Sequence, residues 1–105
     1  MQVFDLKTMP AYPYEEREKN IFYRKEEFRT RITVLPPGGE IPECRMETYT
    51  IFYVTEGSAE ITVNQEKVAI AEGQCLIAEP SIFSMKTENG VRLLGIIIKK
   101  TSSPD

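Results

Sequence analysis

Cys44 and Met46 put a thiol and a thioether two residues apart, so on an extended strand both sulfurs project from the same face. Such a pair suits a soft monovalent metal such as copper, with Cys75 or Met85 as further sulfur donors. The chain contains no histidine at all, which removes the usual imidazole ligand and the usual general base together. A nucleophilic role for Cys44 would need a cation to hold the thiolate, and its neighbour Arg45 belongs to the opposite face. Glu43 and Glu47 are carboxylates beside the sulfur pair, but alternation from Met46 sends Glu47 outward. An inert thiol on a strand is the reading these residues favour.

The elements that must position these groups are strands. Phe28–Leu35, reading FRTRITVL, puts Phe28, Thr30, Ile32 and Val34 on one face, and Pro36–Pro37–Gly38–Gly39 then breaks the chain. Further strands are expected at 50–55, 59–64, 67–71, 74–78, 82–87 and 91–100, with turns at Glu56–Gly57, Asn64–Gln65, Glu79–Pro80 and Glu88–Asn89–Gly90. The last strand, VRLLGIIIKK, is apolar on both faces and needs cover on both. No helical period of useful length interrupts the series, so the fold class is all-β, a sandwich or barrel. Residues 1–20 form an irregular arm whose apolar members (Val3, Phe4, Leu6, Tyr12, Tyr14) are expected to pack on something; 21–100 form the barrel and 101–105 a frayed end.

The 105 residues make one domain, with 41% hydrophobic and 28% charged side chains. A net charge of −3 with scattered basic residues excludes a nucleic-acid surface. No run approaches the ~20 apolar residues of a membrane span, and MQVFDLKTMP lacks the pattern of a signal peptide. Two cysteines without CxxC spacing read as reduced thiols, and a cytoplasmic setting is expected.

The segment GGEIPECRMETYTIFYVTEG, from Gly38 to Gly57, and the segment GQCLIAEPSIFSMKTENG, from Gly73 to Gly90, resemble the two motifs of the cupin family. With Gly38 first and Gly57 last, Cys44 and Met46 stand at the two histidine positions of the first motif and Thr50 at its glutamate. In the second motif Glu79 takes a proline position although Pro80 follows it, Ser81 takes a glycine, Ser84 takes the fourth ligand position and Glu88 an asparagine. The resemblance covers about Arg31 to Lys100 and implies a single jelly-roll β-barrel. Its glycines supply the positive φ of the turns, and their spacing sets hairpin lengths.

The same resemblance implies a barrel without its customary metal site, because one thiol, one thioether and two hydroxyls replace the donors that iron, manganese, nickel or zinc require. No cofactor and no catalytic residue is expected. The pocket candidates are Cys44, Met46, Thr50, Phe52, Ile82, Ser84 and Lys86, placed toward the lumen by alternation from the ligand positions. The ligand expected of that lining is small and uncharged or weakly polar. Two other readings stay open: an isomerase, lyase or cyclase working through carboxylate, tyrosine or thiol, and a copper binder through Cys44 and Met46. Ile51, Tyr53, Thr55, Leu94, Ile96 and Ile98 are expected on the outside, where the arm or a second copy of the chain would cover them, and a homodimer follows from that need.

Overall fold

The computed structural model describes residues 1–99; the expected frayed end at 101–105 and the last residue of the final strand lie outside them. Eight strands follow a short 3-10 helix (Tyr14–Asn20): β1 Ile21–Arg24, β2 Phe28–Leu35, β3 Glu40–Met46, β4 Tyr49–Val63, β5 Glu66–Ala71, β6 Cys75–Ala78, β7 Ser81–Lys86 and β8 Val91–Ile98. All pairings are antiparallel, and the hydrogen-bonded order β1-β2-β8-β4-β7-β3 curls into a half-barrel, with β5 and β6 also on β4. The all-β barrel expected of the turn spacing is the fold observed.

Strand β4 joins the two halves of the barrel. Its first half pairs with β8 and β6, and its second half pairs with β5 and β7. Glu56–Gly57, expected as a turn between two strands, is instead a bend within one: Gly57 has φ +80°, and a register shift falls between Val54 and Glu56. A Cβ on Gly57 would lie 2.2 Å from the Gly90 carbonyl oxygen, so the sheet folds over here only because glycine lets the β7–β8 turn approach. The same irregularity overturns one orientation. Thr55, expected outside, is buried, with its hydroxyl donating to the Arg92 carbonyl at 3.1 Å.

The core lies between the two halves, built from Leu35, Ile41, Phe52, Val54, Ile61, Phe83, Met85 and Leu93 among others. Phe52 and Phe83 meet across it with ring centroids 5.6 Å apart. The outer face of β2 and β8 is also covered, as the two-sided apolar pattern of β8 requires. Ile32, paired with Leu94 on that outer face, is only 1% exposed. The arm provides the cover. Arg92 donates through Nε to the Leu6 carbonyl (2.8 Å) and through a terminal nitrogen to the Met9 carbonyl (2.6 Å), and Phe4 packs against Phe22. Asn20, itself buried, grips the backbone of Tyr12 at both N–H and carbonyl, 2.7 and 2.9 Å. That clamp sets where the 3-10 helix begins its course over the barrel's end.

Candidate functional site

Register shows which side chains share the lumen. Thr50, Ile97 and Arg29 form one row across β4, β8 and β2, and Phe52, Gly95 and Arg31 form the next. Phe52 belongs to the core, so Arg31 in the same row points inward, and so does Arg29 two residues away. On β3, Cys44 lies opposite Phe83 and Met46 opposite Ser81, and both sulfur side chains pack against the core, partly buried. Thr50 and Phe52 are 3% and 6% exposed. Four of the seven pocket candidates therefore meet inside the barrel: Cys44, Met46, Thr50 and Phe52.

The other three do not. Ile82, Ser84 and Lys86 point outward, while Phe83 and Met85 fill the core. Pro80 sits one residue later than the motif's proline position, so β7 enters one residue out of step with it, and a one-residue slip turns every side chain to the other face. Met85, not Ser84, joins Phe83 as what β7 contributes to the interior. The displaced residues line grooves on the outside of the β3–β7–β4 layer. Ile82 and Ser84 border one of about 270 Å³ with Glu43 and Asn64, and Lys86 pairs with Glu60 at 3.5 Å beside another.

The interior positions thus carry Cys44, Met46, Thr50 and Met85, and this donor set does not fit the imidazole–carboxylate site of a divalent metal. Among the described residues no three Cys, Asp or Glu side chains converge. Burial pushes the Cys44 thiol up, against the pull of Arg17 and Arg31, so the thiolate that a soft metal would need is disfavoured. Both cysteines are free, Cys44 inside and Cys75 on the exposed face beside Tyr53.

Beside the sulfurs lies a cationic mouth that alternation from the motif positions does not mark. The 3-10 helix packs on β2 and brings Tyr14 against the core, with the Arg17 guanidinium 4.4 Å from the Tyr14 ring centre. Arg17, Arg29 and Arg31 thereby surround the Cys44–Thr50 end of the lumen. Burial holds the half-buried Arg31 guanidinium below its ordinary value; Tyr14 and Glu18 oppose this, while Arg17 and Arg29 add to it by repulsion. Among the described residues no carboxylate lies within salt-bridge distance of any of the three, and Glu18 is engaged by Arg24 at 3.2 Å. Among the described residues four buried side-chain atoms find no protein partner: Arg29 Nε and the hydroxyls of Thr30, Thr48 and Thr50. Arg29 and Thr48 also line a cleft of about 200 Å³ at this end, walled by Arg24–Phe28, Ile97 and Lys99.

A cupin domain model matches residues 31–83 of the chain. Among solved structures, the chain is similar to a protein of Thermus thermophilus, at 22% identity and TM-score 0.82, covering 96% of this chain and 100% of that one. A cupin superfamily protein of Desulfitobacterium hafniense matches at 15% identity and TM-score 0.72, covering 76% and 74%. The cupin domain of Schizosaccharomyces pombe Cnp3 matches at 21% identity and TM-score 0.70; this chain is covered over 76% of its length and spans 61% of that one. No curated protein matches the sequence.

Proposed function

Since the chain belongs to the cupin family and its interior ligand positions carry no set of divalent-metal donors, we propose that it is a metal-free cupin that binds a small molecule at the barrel mouth, as a sensor or scaffold and without catalysis. The observation that carries this reading is the inward set Cys44, Met46, Thr50 and Met85, drawn from β3, β4 and β7, which lacks imidazole and carboxylate. Metal analysis of untagged protein purified without chelator tests it. Less than a tenth of an equivalent is expected, on the order of adventitious loading; stoichiometric iron, zinc, manganese or nickel overturns it.

The enzyme reading is less well supported. Isomerase, lyase or cyclase chemistry requires a base within reach of the substrate. The inward residues of β2, β3 and β8 and of the first half of β4 include Arg29 and Arg31 but no carboxylate, and Glu47 is exposed. The copper reading through Cys44 and Met46 meets the raised thiol.

A second copy of the chain is the partner we assign to the outer face of β4, β6 and β8. There Ile77, 73% exposed, lies in one row with Ile51 and Ile96, beside Tyr53 and Tyr49. The free state of both thiols supports a reducing, cytoplasmic setting. Among the described residues no helix is long and apolar enough to cross a membrane.

A further inference from the structure

We propose that the occupant of the barrel mouth is a small anion, a carboxylate or a phosphate, gripped by Arg29, Arg31 and Arg17 with the hydroxyls of Thr48 and Thr50 as further partners. This rests on the small-molecule reading above and names the ligand's chemistry.

Three guanidiniums share one end of a barrel, and among the described residues none has a carboxylate partner. Arginine keeps its charge even when burial lowers its proton affinity, so the repulsion is not relieved by losing a proton. A folded chain normally pairs such charges or leaves them in water. Here Arg29 has its Nε buried without a protein acceptor, and Arg31 is drawn into the lumen beside Phe52 and Gly95.

The hydroxyls make a second, independent observation. Thr50 is 3% exposed, faces the lumen from the row that holds Arg29, and its oxygen has no protein partner; the Thr48 hydroxyl is orphaned in the same way. Two other buried threonine hydroxyls are satisfied: Thr55 donates to the Arg92 carbonyl, and Thr87 donates to the Ser58 carbonyl and accepts from the Gly90 N–H. Apart from Thr30, in the outward row of β2 with Ile96, the orphans are thus gathered where the arginines are. A hydroxyl donates to an anion, and a guanidinium offers two parallel N–H groups to a carboxylate or phosphate edge. One anion therefore answers both deficits. A neutral ligand, which the motif positions alone favour, answers only the hydroxyls.

Size and surroundings agree. The cleft that Arg29 and Thr48 share is about 200 Å³, below the ~300 Å³ at which drug-sized sites begin. Its walls carry Arg24, Lys25, Arg29 and Lys99 against Glu26 and Glu27, and Glu26 is itself 3.9 Å from Lys99. The local field stays positive although the whole chain carries −3.

Calorimetric titration at constant ionic strength tests the assignment, with acetate, benzoate and inorganic phosphate as anions, phenol as the neutral control and chloride as the salt. Saturable binding of at least one anion is expected. Arg31→Met and Arg29→Met should each weaken it about tenfold or more, while Lys67→Met, on the exposed strand β5 away from the mouth, leaves it within about twofold. The carboxylate and phosphate arms tell the two sources apart. Neither arginine variant should lose stability without ligand, because each removes an unpaired charge; a purely structural arginine would show a clear loss. A separate readout uses Cys44. In a Cys75→Ser background its alkylation should slow when the anion neutralises Arg17 and Arg31 and covers the thiol. Phenol binding without anion binding sinks the arginine assignment and leaves the small-molecule reading standing. Binding of neither class sinks both.

Discussion

Three threonines of nearly equal burial differ in how their hydroxyls are satisfied, and that difference yields a signed prediction. Thr50, Thr55 and Thr87 are 3%, 5% and 4% exposed. Their hydroxyls make no protein hydrogen bond, one bond to Arg92 and two bonds (to the Ser58 carbonyl and from the Gly90 N–H) respectively. Valine is close to isosteric with threonine, is branched at the same carbon and suits a strand equally well, so Thr→Val changes the hydroxyl and little else. An unsatisfied buried hydroxyl costs about 1–3 kcal/mol. Thr50→Val should therefore stabilise the ligand-free protein by about 1–2 kcal/mol, or roughly 4–12 °C in Tm for a domain of this size. Thr55→Val should cost about 1 kcal/mol, and Thr87→Val about 2–3 kcal/mol because it also strands the Gly90 N–H. Urea unfolding followed by far-UV circular dichroism reads all three, since the chain has no tryptophan. If Thr50→Val destabilises as much as Thr55→Val, the Thr50 hydroxyl is satisfied and the mouth is not held at a cost. The same variant should weaken binding of whichever anion the wild type takes up, so stability and affinity should move in opposite directions.

Gly57 and Gly73 have nearly equal φ, +80° and +84°, but a Cβ at Gly57 would strike the Gly90 carbonyl at 2.2 Å whereas nothing lies within 4 Å at Gly73. Gly73→Ala should cost about 1–2 kcal/mol, and Gly57→Ala about 3 kcal/mol or more in the same urea assay; equal costs would refute the close approach. The Cys44 thiol is raised by burial. A proton held more tightly in the folded state contributes stability that is present below the ordinary thiol range and is lost as pH rises through the folded value. In a Cys75→Ala background, unfolding free energy should therefore fall with pH through and above that range, and Cys44→Ala should flatten the fall; parallel pH profiles would refute it. Light scattering on a sizing column should show a dimer, with Ile77→Lys shifting it to monomer; a monomeric wild type removes the assigned outer-face partner.

The barrel was legible because turn chemistry is local. Gly38, Gly73 and Gly90 all adopt positive φ at chain reversals, as does the Asn64–Gln65 hairpin turn, and β2 spans the residues its alternation marks. Facing was legible only where the motif spacing was intact. On β3 and β4 it places Cys44, Met46, Thr50 and Phe52 inside, but Pro80 carries an extra residue into β7 and inverts Ile82, Ser84 and Lys86. The arginine mouth left a signal that alternation alone could not orient. FRTRITVL has one face with Phe28, Ile32 and Val34 and another with Arg29, Arg31, Thr33 and Leu35. The more apolar face looks like the core, yet it is the outer one, where Ile32 is buried beneath the arm while Phe28 stays exposed.

That inversion gives the arm two roles set by one clamp. Residues before β1 lie outside the part of the chain that matches the cupin domain, yet they cover the outer face at Ile32 and also supply Tyr14 and Arg17 to the mouth. Asn20 holds both together, because its bonds to Tyr12 fix the start of the 3-10 helix relative to β1. A change that loosens Asn20 should therefore act at the mouth as well as on stability. Asn20→Ala strands a Tyr12 N–H and carbonyl, at about 1–3 kcal/mol, and frees Arg17 to leave the site. Asp5 offers the contrast. Its exposed carboxylate accepts from the N–H groups of Lys7 and Thr8 and from the Thr8 side chain, far along the arm from Tyr14. Asp5→Asn should leave anion affinity unchanged where Asn20→Ala weakens it, and equal affinities in the two variants would mean that Arg17 takes no part in the grip.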